Sequence, residues 1–146
     1  MNCSQQICDL VAYNGALNIA HWRADTKSNE HNAIGALYDE MVELTDKLAE
    51  IYMGKYGVID SVSCELPVLD NVPACGLTIV EGLQSQFDET EDSDILNVLA
   101  DMSAILNKTA YLLKTEPEDS GEPVAEQESE STEKETEEFD TEGMPE

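Results

Sequence analysis

The chain has little positive charge. Of its 146 residues only 7 are Lys or Arg, against 32 Asp or Glu, for a formal net charge of −25. A surface of that sign repels nucleic acid and anionic membranes, so neither direct nucleic-acid binding nor a membrane partner is expected. Long apolar runs are missing too: no stretch approaches the ~20 apolar residues a bilayer span needs. The opening MNCSQQICDL has no basic flank and no apolar segment of the kind a secretory signal carries. Together these absences predict a soluble, cytoplasmic protein. The four cysteines, Cys3, Cys8, Cys64 and Cys75, form no CxxC pair, which excludes zinc-ribbon and thioredoxin-type sites. In a reducing compartment they are expected as buried or half-buried thiols, with a Cys64–Cys75 disulfide as the alternative. No G-x-S-x-G elbow and no glycine-rich phosphate loop is present, so hydrolase and nucleotide-binding readings lack a motif, and no catalytic or organic-cofactor residue is assigned.

What is present divides at Lys114. Residues 115–146 hold 14 Asp or Glu, one Lys and three large apolar residues, Val124, Phe139 and Met144. Such a segment cannot bury enough apolar surface to offset its ordering entropy, and it is predicted to be a disordered acidic tail. It suits a basic protein partner. Residues 1–114 carry the apolar periodicity of a folded domain.

Four amphipathic stretches account for that domain, which predicts an all-α fold. The first runs from about Ser4 to Trp22 with an apolar stripe through Ile7, Leu10, Leu17 and His21. The second begins near Ser28 or Asn29, good N-cap residues, and ends at Gly54 or Gly57. Residues 58–74 contain Pro67 and Pro73 and show no helical period. A shorter third helix follows through Leu77, Val80, Leu83 and Phe87, and a fourth through Ile95, Val98, Leu99, Met102, Leu106 and Leu113. Short links make helices one and two, and three and four, antiparallel neighbours. The long middle link is able to run the length of the bundle, a crossover between helices two and three.

The candidate chemistry lies on the second helix and the turn before it. His21 and His31 are the only histidines, and the short turn brings them together. Neutral imidazole is the commonest protein metal ligand. Asp39, Glu43, Asp46 and Glu50 form an acidic stripe on the same helix, and Asp46 with Glu50, one turn apart, are spaced to face one ion. His31 and Asp46 are separated by roughly 22 Å along the axis, so they cannot share an ion within one chain. Two chains paired antiparallel about a two-fold axis would set His21 and His31 of one against Asp46 and Glu50 of the other, which predicts at least a dimer.

The segment AHWRADTKSNEHNAIGALYDEMVELTDKLAEIYMG resembles the first helical half of the ferritin-like superfamily, especially the Dps-type mini-ferritins. The shared features are His-Trp at a helix end, a second His opening the next helix, and D-x-x-x-E, here DKLAE at 46–50. It resembles still more closely a family of small ferritin-like proteins of tailed bacteriophages, through His21, Thr26, Ser28, His31, Tyr38, Asp39, Asp46, Glu50 and Gly54. The likeness implies a ferritin-like four-helix bundle with the long crossover, and a ferroxidase-type inter-subunit site ligated by His21, His31, Asp46 and Glu50. Iron is the implied metal, with Mn(II) or Zn(II) also suited to mixed imidazole and carboxylate ligands. The implied activity is Fe(II) oxidation or iron sequestration, in the host cytoplasm or the virion. Two departures stand out. Gly35 occupies the place where mini-ferritins carry an Asp, and the two histidines lie closer in sequence than in that family. One bound metal is therefore expected ahead of a di-iron centre. The alternative is a non-catalytic phage interaction or virion-associated protein that binds a basic partner through its acidic tail.

Overall fold

The computed structural model describes residues 2–114, which form four helices, α1 (Ser4–Arg23), α2 (Asn29–Tyr56), α3 (Val72–Gln84) and α4 (Ser93–Lys114), with no strand among the described residues. The predicted disorder of 115–146 lies outside the described residues.

Local chemistry sets the helix ends. The Ser28 hydroxyl accepts from the His31 N–H at 3.1 Å and caps α2. Gly57, at φ +93°, ends it in a conformation that a side chain would oppose. The Asn71 side chain accepts from the Ala74 N–H at 3.1 Å and starts α3. That start is earlier than the lack of periodicity through residue 74 suggests. Pro73 sits in the first turn, where its missing N–H costs nothing, so it opens the helix rather than breaking it.

The four apolar stripes close on one another. Leu10, Tyr13 and Leu17 of α1, Ile34, Leu37, Met41 and Leu48 of α2, Leu83 of α3, and Ile95, Leu99, Met102 and Leu106 of α4 are fully buried. Each such side chain contributes about 1.5–3 kcal/mol of transfer free energy. α1 packs on α2 and α3, and α4 packs on α2 and α3. The Cys3 N–H donates to the Tyr52 hydroxyl at 3.0 Å, and at the other end the Asn29 amide donates to the Leu112 carbonyl at 2.8 Å. α2 therefore runs antiparallel to both α1 and α4. Gly76 lets α1, α3 and α4 meet closely: a Cβ there would lie 2.7 Å from both the Tyr13 hydroxyl and Leu106 Cδ2. The Tyr13 hydroxyl donates to the Val72 carbonyl at 2.7 Å, and burial pushes its pKa up.

Residues 57–71 follow α1. The Asp60 N–H donates to Ser4 Oγ at 2.9 Å, and Leu66 lies against Gly15. This path decides the cysteine pairing. Cys64 arrives beside Cys8, and the two form a disulfide with Cα atoms 6.2 Å apart. Cys75, the alternative partner, is carried off inside α3 and remains a half-buried thiol, while Cys3 is a buried one. Both the all-thiol expectation and the Cys64–Cys75 pairing are thus replaced. No helix among the described residues is long and apolar enough to cross a membrane.

Candidate metal centre

His21 lies in the last turn of α1 and His31 in the first turn of α2, and the link between them folds so that the two side chains interlock. His21 Nδ1 lies 2.9 Å from the His31 carbonyl oxygen, and His31 Nδ1 lies 2.9 Å from the His21 carbonyl oxygen. The rings stack with centroids 3.9 Å apart. A carbonyl oxygen only accepts, so each Nδ1 carries the proton and donates. Each neutral ring therefore holds its lone pair on Nε2, the tautomer in which a second hydrogen bond fixes a metal-ligating imidazole. Among the described residues neither Nε2 has a hydrogen-bond partner. The arrangement also has a structural use, because the His21 carbonyl is one of the acceptors that α1 leaves unpaired at its C-terminus.

Gly35 underlies the arrangement. A Cβ there would stand 2.7 Å from His21 Cε1 and 2.8 Å from His21 Nδ1. The imidazole thus fills the space a side chain at position 35 would need. The pair borders a cleft of about 380 Å³ whose other walls include Asn18, Trp22, Tyr38 and Asp39.

Asp46 and Glu50 stand exposed further along α2, roughly 22 Å and 28 Å from His31 on the helix axis. The structure brings His21 and His31 together and does not bring Asp46 or Glu50 to them within one chain. Among the described residues no three His, Cys, Asp or Glu gather as an ion-holding group. The donor set of the pair nonetheless fits a divalent transition metal, whose remaining ligands must come from elsewhere. Asp46 borders a second cleft with Val11, Asn14, Val42 and Tyr38, so Tyr38 lines both clefts on one face of α1 and α2. Val11, Val42 and Trp22 are exposed on these helices, and Trp22, 69% exposed, belongs to no core.

A further polar cluster lies at the opposite end. Asp92, only 1% exposed, accepts from the Tyr56 hydroxyl and, at 3.1 Å, from the Asp88 N–H. Lys55 Nζ reaches Asp92 at 3.1 Å and Asp94 at 2.8 Å. The Tyr56 hydroxyl, the Asp88 amide and the Lys55 ammonium hold Asp92 below the usual carboxylate range. Asp94 and Asp92 raise Lys55, and the bond to Asp92 pushes Tyr56 up to about 12. The periodicity that marks the helices does not register this clamp. The available signal was Asp92 itself, an N-cap residue directly before an amphipathic run. Its own lysine fills the cluster, so it ties α2 to α4 and offers no open site.

No curated protein and no solved structure matches the chain. One family model does, over residues 21–113, a span that starts at His21 and contains every candidate ligand. That span covers more than half of the sequence, and the chain belongs to this family of unknown function, DUF5856.

Proposed function

We propose that the protein is a Dps-like, ferritin-like metal-binding protein, with His21 and His31 as the fixed half of a site for Fe(II) or a similar divalent ion. The observation that carries this reading is the pair of reciprocal Nδ1–carbonyl bonds, which in the neutral rings puts both lone pairs on Nε2, on two residues that border one cleft. A purely structural clasp would need only one ring to cap the end of α1.

Asp46 and Glu50 of a second copy supply the carboxylates in this reading. The midpoint between residues 31 and 46 falls at Tyr38 and Asp39, and Tyr38 borders both clefts. A two-fold axis beside Tyr38 exchanges the two half-sites and covers Val11 and Val42. The passage of residues 57–71 along α1 supports the ferritin-like crossover between α2 and α3. Carboxylates favour Fe(III), so these residues would hold an Fe(II) ion that gives up one electron to oxygen or peroxide from solution, and would retain the ferric ion that results.

The test is complementation. Fe(II) is titrated with and without oxygen into the protein, into His31→Ala, and into Asp46→Asn/Glu50→Gln. Each variant is expected to lose binding. Mixing the two variants and allowing exchange restores about a quarter of the sites, because half of the dimers are mixed and each has one intact site. Undiminished oxidation by His31→Ala, or no recovery on mixing, overturns the assignment.

A further inference from the structure

Trp22 is the only tryptophan of the chain, and it stands 69% exposed in the last turn of α1. Its large apolar ring is costly to leave in water, and interface hot spots are enriched in it. It shares a face of α1 with Val11, Asn14 and Asn18, at steps of three and four, and that face forms a groove with α2. Trp22 borders the cleft at the histidine end of the groove. The second cleft, of about 420 Å³, lies further along, with Val11, Val42 and Ala49 as apolar walls and Asp46 among its lining.

The two features are placed symmetrically. Asn14 bonds to Thr45 and His21 lies over Gly35, so Asn18 on α1 is level with Tyr38 and Asp39 on α2. Trp22 lies four residues beyond Asn18 and Asn14 four residues before it, about 6 Å along the axis in each direction. Two copies paired antiparallel about an axis at that level bring the Trp22 of each to the second cleft of the other. We propose that Trp22 is the anchor of a dimer, seated between Val11, Val42 and Ala49 of a second copy with its indole N–H donating to Asp46 there. The proposal rests on the two-fold pairing of the preceding reading and on none of its metal chemistry.

Charge selects this occupant and this direction. Residues 39–50 of α2 carry five acids, Asp39, Glu40, Glu43, Asp46 and Glu50, and one lysine. A parallel pair would set these acids against each other. The antiparallel pair sets them against the end around Trp22, where Asp25 and Glu30 are balanced by Arg23 and Lys27. Both cations are exposed, and among the described residues neither has a carboxylate within ion-pair distance. Asp46 has two oxygens, so one accepts the indole N–H while the other still faces the partner's His21 and the partner's His31. A seated indole buries about 150–250 Å², and the symmetry repeats it.

The sole tryptophan is also the reporter. The full chain is followed in chelator, free of metal, by sedimentation velocity and by tryptophan emission over a range of concentrations. Pairing is expected to shift the emission to the blue and to cut acrylamide quenching several-fold. Trp22→Ala should raise the dissociation constant of the pair at least about thirtyfold, which is about 2 kcal/mol at 1.4 kcal/mol per decade. Its helical spectrum should not change, because Trp22 lies outside the core. Val42→Glu, in the cleft wall, should weaken pairing as much and leave the Trp22 emission that of an exposed indole. Tyr111→Ala removes a comparably exposed aromatic from α4, which packs on α2 and α3, and should change neither. Chains monomeric at every concentration, dimers whose Trp22 emission and quenching match the monomer's, or a loss in Tyr111→Ala as large as in Trp22→Ala each overturn the proposal. The second of these outcomes leaves the metal reading standing. Metal-free dimers with a buried Trp22, whose Fe(II) binding survives His31→Ala, support the anchor and remove the metal site.

Discussion

Replacing Gly35 with alanine isolates the histidine pair from the rest of the fold. In a helix interior, glycine to alanine gains about 1 kcal/mol from backbone entropy alone. At position 35 the new Cβ would stand 2.7 Å from His21 Cε1 and 2.8 Å from Nδ1, so the ring must move. Moving it gives up the Nδ1 bond to the His31 carbonyl, about 1 kcal/mol net, and the stacking on His31, about another 1 kcal/mol. The balance is a net loss of about 1 kcal/mol. Gly54, also in α2, has no atom within 4 Å of its hypothetical Cβ, so Gly54→Ala keeps most of the propensity gain. The two variants should therefore differ by about 2 kcal/mol, a separation of roughly 1 M in urea midpoint at an m-value of about 2 kcal/mol/M. Urea titration followed by circular dichroism gives the difference. Fe(II) or Co(II) titration of the same samples should show binding intact in Gly54→Ala and lost in Gly35→Ala. Gly35→Ala as stable as Gly54→Ala, with metal binding retained, would refute the claim that position 35 is empty for the sake of His21.

Four further outcomes follow from the packing. Asp92 has a lowered pKa in the folded state, so its contribution is present above about pH 4 and is lost as pH falls through the folded value. Asp92→Asn should flatten that acid limb in urea titrations across pH, and Asp92→Ala should cost about 1–3 kcal/mol through the lost charged hydrogen bonds. The alkaline limb has the opposite sign: Lys55 is raised above 10.5 and Tyr56 to about 12, so their contributions are complete below pH 10 and fade as pH climbs through the folded values. The Cys8–Cys64 disulfide spans a separation of 56 residues, and opening it with reductant should cost about 2–4 kcal/mol in chemical denaturation, with no effect of reductant on Cys8→Ser/Cys64→Ser. Tyr38→Glu, placed beside the proposed two-fold axis, should leave the helical spectrum unchanged and give monomers in sedimentation velocity, with Fe(II) binding lost at the same time; dimers that persist would remove the axis from that face.

Much of this molecule follows from periodicity. The stripes through Ile7–Leu17, Ile34–Tyr52 and Ile95–Leu106 mark three helices because their spacing by three and four is unbroken and their caps, Ser28 and Gly57, sit where the pattern stops. Pro73 misleads for a physical reason. Its ring forbids a helix interior but suits a first turn, and only the Asn71 side-chain bond to Ala74 shows which applies. The cysteine pairing is illegible because it depends on where residues 57–71 run across α1, a tertiary fact that no local spacing records.

The histidine pair lies between these cases. Its proximity follows from the short turn, but the tautomer does not, since it depends on two backbone carbonyls reached by side chains ten residues apart. Gly35 is the most instructive residue. In sequence it registers as an absent carboxylate, a subtraction from the mini-ferritin pattern. In the structure the same position is occupied, by the His21 ring. An aspartate at 35 and the stacked pair exclude each other on this backbone, because the aspartate Cβ needs the volume the imidazole already fills. The carboxylates that complete a metal site must then come from outside the turn. That is why the ligand question passes from α2 of one chain to its oligomeric state, and why exchange between His31→Ala and Asp46→Asn/Glu50→Gln chains reports on the site more directly than any single substitution.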